Sequence, residues 1–124
     1  AFLIGAGNLG AALLSYDGFE ACGLHIIAAF DNDPSKIGRE INKKKIMPVE
    51  KFQNLTKRMK INIGILAVPA EEAQKAADLM INAGIRAIWN FTSAKLSVPD
   101  DIIVQHENFA ASFLVLSKKL KGML

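Results

Sequence analysis

The chain has 124 residues, 51% of them hydrophobic and 22% charged, with a single cysteine and a formal charge of +3 at pH 7. That describes one domain with enough apolar material for its own core, which excludes a disordered chain and an internal disulfide framework. No apolar run reaches the about 18 residues of a membrane span, no basic-then-apolar leader is visible, and the charge excess is too small to mark a nucleic-acid surface, so a reducing, cytoplasmic setting is expected.

In chain order, strand-length apolar runs alternate with segments of helical period. The chain opens inside an apolar run, Phe2 to Ile4, without an initiator Met, and so reads as part of a longer protein. Residues 9–15 are rich in Ala and Leu and predict a helix. Residues 24–30 form a nearly continuous apolar run, the pattern of a parallel strand covered on both faces. That run places His25 in a core strand and ends in turn chemistry at Asp31-Asn32-Asp33-Pro34. Lys43, Lys44 and Lys45 read as a solvated loop before a short strand at 46–49. Residues 50–59 space Phe52, Leu55 and Met59 as an amphipathic helix. Residues 61–68 predict a second buried strand. Pro69 then opens a helix with Glu71 and Glu72 in its first turn, an apolar stripe of Ala73, Ala76, Ala77 and Met80, and a stop at Gly84. Strands are expected at 85–91 and 102–105, and a final helix at 109–120. Such alternation predicts an α/β layer fold with a mainly parallel sheet, whose ligands bind beyond the carboxyl ends of the strands.

Gly5-Ala6-Gly7-Asn8-Leu9-Gly10 fits G-x-G-x-x-G. The first glycine allows the tight turn out of a strand, the second lets backbone approach a pyrophosphate, and the third lets the helix pack on the strand. The motif alone is weak evidence, but here it follows an apolar strand and opens an apolar helix. Asp31 stands 21 residues after Gly10, at the end of the second strand, where a carboxylate accepts from ribose hydroxyls and repels a 2′-phosphate. The pattern therefore predicts a dinucleotide site that prefers NAD to NADP, with Lys36 and Arg39 nearby as the cations that weigh the other way.

Reaction chemistry is not marked. His106 has no Ser, Lys or Tyr constellation around it, Tyr16 and Lys36 do not form a Tyr-x-x-x-Lys pair, and Cys22 has no partners at zinc spacing. The last helix puts Phe109, Phe113, Leu116 and Leu120 on one stripe and is apolar almost all round through Leu116. Such a helix needs cover on more than one side, which predicts a homodimer. Lys118, Lys119 and Lys121 stand at its carbonyl end, where cations are favoured.

The glycine run with Ala12, Leu13 and Tyr16, then Ala29-Phe30-Asp31 and Ile37-Gly38, resembles the Rex redox-sensing transcriptional repressors. Val68-Pro69-Ala70 with Ala73, Ala83-Gly84-Ile85, Asn90-Phe91-Thr92, Leu96 and Val98-Pro99 continue the resemblance over essentially the whole chain. It implies a Rossmann-like fold with helices on both faces of the sheet and a C-terminal helix for dimerisation. Residues 1–124 would be the NAD(H)-binding half, and DNA would be held only by an N-terminal winged-helix domain outside this chain. The cofactor would be a ligand whose redox form sets the conformation, with no reaction catalysed.

The cofactor-binding set implied by the resemblance is Gly5, Ala6, Gly7, Asn8, Leu9, Gly10, Tyr16, Asp31, Asn32, Lys36, Ala67, Val68, Pro69, Asn90, Phe91 and Phe109, with no catalytic or metal-ligating residue. Asn90, Phe91, Val68 and Pro69 would border the nicotinamide, Tyr16 would lie near it, and Phe109 would reach the partner's nicotinamide. Two positions depart from the family. Asn108 stands where Asp is common, and Ser93 where the family has Pro. A CoA-binding domain of the succinyl-CoA synthetase type and the cofactor domain of an NAD-dependent dehydrogenase share this fold and stay open as alternatives.

Overall fold

Seven strands form one sheet in the order β3-β4-β2-β1-β5-β6-β7. The strands are β1 (Phe2–Ile4), β2 (Ala28–Asp31), β3 (Glu40–Ile41), β4 (Lys44–Pro48), β5 (Ile63–Leu66), β6 (Ala87–Asn90) and β7 (Ile103–His106). The helices are α1 (Asn8–Ser15), α2 (Gly18–Ala21), α3 (Phe52–Met59), α4 (Ala70–Ala83) and α5 (Phe109–Met123). The computed structural model describes residues 1–107 and 109–123, with side chains left out for 109–115. Every strand pairing is parallel except the β3–β4 hairpin. Without β3, the order is that of a doubly wound dinucleotide-binding sheet, and it reverses at β1.

Alternation along β1 explains the two cores. Phe2 and Ile4 point to one face, where Phe2, Phe30 and Phe52 meet edge-on or tilted at centroid distances of 5.0–6.0 Å beneath α3 and α4. Leu3 points to the other face, with Leu13 and Leu14 of α1, Ile46 and Ile65. Both faces are covered, so the central strands need the continuous apolar runs seen in the sequence.

Three expectations need correction. The second strand begins at Ala28, not at residue 24. The ladder with β1 runs from Ala28 to Phe30, and ahead of it the Ala1 carbonyl accepts from the Ile27 N–H while the Ala1 amino group donates to the His25 carbonyl. Leu24 belongs to the turn after α2, where its N–H donates to the Phe19 carbonyl. His25 is therefore exposed and outside the strand, not in the core. The lysine run is not a loop. Lys44 and Lys45 lie on β4, and Asn42-Lys43 makes a two-residue hairpin turn with positive φ at both positions, 51° and 65°. The Asn42 amide pins that turn to the end of α1 by donating to the Leu14 carbonyl and to Asp17.

Candidate functional site

The switch in strand order at β1 opens a crevice beyond the carboxyl ends of β1, β2 and β5. A cavity of about 560 Å³ lies there. Its floor is Ile4, Gly5 and Gly7, one wall is Asp31, Asn32, Asp33 and Lys36, and the other is Ala67, Val68 and Pro69 with the first turns of α4.

The floor is shaped by glycine. Gly5 takes φ +105°, and a Cβ on it would sit 2.5 Å from the Ala67 carbonyl oxygen. A Cβ on Gly10 would overlap the Gly5 carbonyl, so α1 lies directly on the loop that precedes it. Gly7 is different. Its φ is −74°, and a Cβ there would meet nothing closer than the Lys36 ammonium at 4.0 Å. Packing does not require glycine at Gly7, whereas close approach of a ligand would.

The two helices that start at the crevice are not electrostatically equal. α1 begins after Gly7 with no side-chain cap and no acidic residue in its first turn. Its leading N–H groups are unused within the helix and favour an anion. α4 carries Glu71 and Glu72 in its own first turn, which already complement its dipole. An anion in the crevice is therefore best placed at α1, with the Lys36 ammonium beside it.

Asp31 bridges the loop and the strand. Its Oδ2 accepts from the Ala6 N–H at 2.8 Å and its Oδ1 from the Asp33 N–H at 2.9 Å. Each carboxylate oxygen has capacity for a further bond, so the group can also accept from hydroxyls in the crevice. Asp33 closes the turn in the same way. Ser35 donates to it through its N–H and its hydroxyl, and these bonds, with Lys36 and Arg39 nearby, hold its carboxyl below the ordinary carboxylate value.

Of the residues expected here, Gly5, Gly7, Asp31, Asn32, Lys36, Ala67, Val68 and Pro69 line the cavity. Ala6 and Gly10 are buried behind it, while Asn8 and Leu9 form the first turn of α1. Tyr16, Asn90 and Phe91 lie elsewhere. Tyr16, 59% exposed, packs edge-on against Phe19, which meets Trp89, which meets Phe91, at centroid distances of 4.7, 5.5 and 4.6 Å. Asn90 is fully buried and its side chain is spent on protein partners. The side chain of Phe109 and all of Asn108 lie outside the described residues. The cavity residues that sequence reasoning missed are Ile4, Asp33, Val49, Glu71, Glu72, Lys75, Ala76 and Leu79. Ala76 belongs to a stripe that reads simply as core, yet it sits where that stripe emerges into the crevice. Among the described residues, no group of three His, Cys, Asp or Glu could hold a metal ion, and no helix is long and apolar enough to cross a membrane.

A doubly wound sheet, a glycine loop at its switch point and a carboxylate tied to that loop describe a nucleotide-binding family, and a family model described as "CoA binding domain" matches residues 1–94. The chain belongs to the CoA-binding domain family. Within that fold family its relatives bear out the Rex resemblance. It is 47% identical over 116 residues to a redox-sensing transcriptional repressor Rex of Treponema denticola, covering 94% of this chain and 55% of that protein. RSP, a Rex-family repressor solved in complex with β-NADH, superposes with a TM-score of 0.93 at 40% identity, covering 98% of this chain and 59% of that one. The complex of RSP with β-NAD+ and operator DNA gives a TM-score of 0.90 at 40% identity, over 98% and 56%. The chain thus spans about half the length of the curated relatives it matches.

Proposed function

We propose that this chain is the NAD(H)-binding domain of a Rex-type redox-responsive repressor. It senses the nicotinamide redox state and catalyses no reaction. The observation that carries the reading is Asp31, a carboxylate at the end of β2 that holds the glycine loop through Oδ2, the following turn through Oδ1, and lines an open crevice. In this reading the pyrophosphate lies on the N-terminus of α1 between Gly5 and Gly10, with Lys36 beside it. Asp31 and Asn32 take the adenosine ribose. Ala67, Val68 and Pro69 lead toward the nicotinamide, which Asn90 and Phe91 border, with Tyr16 near it and Phe109 reaching the partner's cofactor. The relatives named Rex, and RSP with its dinucleotides and operator, support the assignment. DNA would be bound by a part of the protein outside residues 1–124, and the setting would be the cytoplasm.

A second reading, CoA binding, is favoured by the description of the family model. One set of titrations separates the two. NADH is expected to bind more tightly than NAD+, with NADPH weak and CoA weaker still. Tight CoA binding without an NADH response would reverse the assignment.

Dimerisation belongs to the same proposal. Leu116, Leu120 and Met123 of α5 are exposed by 64%, 55% and 84%, and their spacing puts them on one side of the helix. A second copy covering that side would bury them. Replacing Leu116 and Leu120 together by Asp is expected to convert a dimer to a monomer in light scattering, and a wild-type monomer would refute the arrangement.

A further inference from the structure

Asn90 ends β6 and is fully buried, and all four hydrogen-bonding positions of its amide are used. Its Oδ1 accepts from the Thr92 N–H at 2.9 Å and from the Thr92 hydroxyl at 2.7 Å. Its Nδ2 donates to the Ala94 carbonyl at 3.0 Å and meets the His106 Nδ1 at 3.1 Å. A backbone N–H only donates and a carbonyl only accepts, so the orientation of this amide is fixed from both ends. The amide nitrogen therefore faces His106, and His106 Nδ1 must be the acceptor. The imidazole that makes this bond is neutral, with its proton on Nε2.

We propose that His106 is a proton-sensitive positioning residue. Through Asn90 it latches the 90–94 turn in the form that the nicotinamide end of the site requires. The inference rests on the NAD(H) reading above. The turn is joined to the cavity wall by the Phe91 N–H, which donates to the Leu66 carbonyl at 2.9 Å, next to Ala67 and Val68. On its other side it is tied to the entry of α5. The Glu107 N–H donates to the Asn90 carbonyl, and the Glu107 carboxylate accepts from the Trp89 indole at 3.0 Å. His106 is exposed, so a proton reaches it from solvent. When a second proton binds, Nδ1 becomes a donor facing an amide donor. The latch opens and leaves a buried N–H without its partner.

Among the described residues, no other titrating group competes for this role. β6, the strand packed against β7, carries no charged residue from Ala87 to Asn90, and residues 91–94 carry none. Lys95 follows the turn. Glu107, next in sequence, is engaged by Trp89, and Arg86 pairs with Asp101 at 3.5 Å near the opposite end of the two strands.

The experiment uses the full-length protein without cofactor first. Nitrogen NMR of the imidazoles should show His106 as the Nε2–H tautomer at neutral pH. The amide signals of Thr92 and Ala94 should move together with the titration of His106. NADH affinity is then measured between about pH 8 and about pH 5, where imidazoles titrate. Wild type should weaken by about fivefold or more as the latch opens. His106→Asn offers a non-titrating oxygen near the Nδ1 position. It should bind like wild type at the higher pH and lose the pH dependence. His106→Leu should bind weakly at both. Amide signals of Thr92 and Ala94 that ignore the titration of His106, or an unchanged pH profile in His106→Asn, would overturn the latch. If NADH fails to bind at any pH, the functional reading fails, while the amide signals of the free protein still decide the latch.

Discussion

Gly10→Ala is expected to destabilise the protein by about 3 kcal/mol, and Gly7→Ala to leave stability nearly unchanged while weakening NADH. The two glycines sit three residues apart in one motif, yet the structure gives them different work. A methyl group on Gly10 would overlap the Gly5 carbonyl oxygen, which belongs to backbone and cannot swing away. Relief requires α1 to lift from the end of β1, which separates Leu13 and Leu14 from Leu3 and Ile65 on that face of the sheet. The glycine loop opens in the same movement, because the Ala11 N–H is bonded to the Gly7 carbonyl at 2.8 Å. At Gly7 the backbone angles suit any residue, and the space around a Cβ is free out to the Lys36 ammonium at 4.0 Å. An alanine there should fold normally. Its methyl would stand where a pyrophosphate has to approach the N-terminus of α1, and affinity should fall about tenfold, a loss of about 1.4 kcal/mol. Urea denaturation and NADH titration of both variants check the pair. Equal stability losses at the two positions would show that both glycines are there for packing alone.

The layer architecture was legible because the strand and helix periods do not overlap: Phe2 to Ile4 and residues 61–68 read as buried strands, and Pro69 and Gly84 punctuate α4. The phosphate loop was legible because its glycines stand between a strand and a helix, and Asp31 because its distance from them is set by one βαβ unit. What escaped depends on partners remote in sequence. The β3–β4 hairpin turns on Asn42-Lys43 without a glycine, and its lysines mimic a loop. The positive φ values are held by the Asn42 bonds to Leu14 and Asp17, 28 and 25 residues away. Residues 24–27 read as strand from their apolar run, but the Leu24 N–H is bonded back to Phe19 and the ladder with β1 starts only at Ala28. Asn90 is marked only by the Rex resemblance, which gives it a place beside the nicotinamide and no hint of its partners in the fold. Its burial and its bond to His106 belong to tertiary structure and leave no local mark. The crevice face of α4, with Ala76 and Leu79, was hidden because an apolar residue at a cavity rim and one in the core look the same in a helical stripe.

Asp31→Ala should weaken NADH by about a hundredfold, the largest binding loss of any single change at the crevice. Hydrogen bonds to a charged acceptor contribute about 1.5–3 kcal/mol each, and in the proposed complex this carboxylate serves the ribose and the loop together. The loop share is visible without ligand. The Ala6 N–H is buried and points at Oδ2, so the alanine variant leaves a donor unpaired and frees the segment that must meet the pyrophosphate. The ribose share is separable by two further measurements. Asp31→Asn keeps the shape and removes the charge. The Ala6 and Asp33 N–H groups face different oxygens of Asp31, so the new NH2 would confront one of them, and NADH should still weaken, by about tenfold. NADPH should not weaken, because the negative charge that repels a 2′-phosphate has gone, while Lys36 stays within reach of the glycine loop. The ratio of NADH to NADPH affinity should therefore fall in Asp31→Asn. Nicotinamide mononucleotide, which lacks the adenosine ribose, should lose far less than NADH in Asp31→Ala. Equal losses for the two ligands would mean that Asp31 acts only through the loop, and unchanged NADH affinity in Asp31→Ala would remove the ribose from this end of β2 altogether.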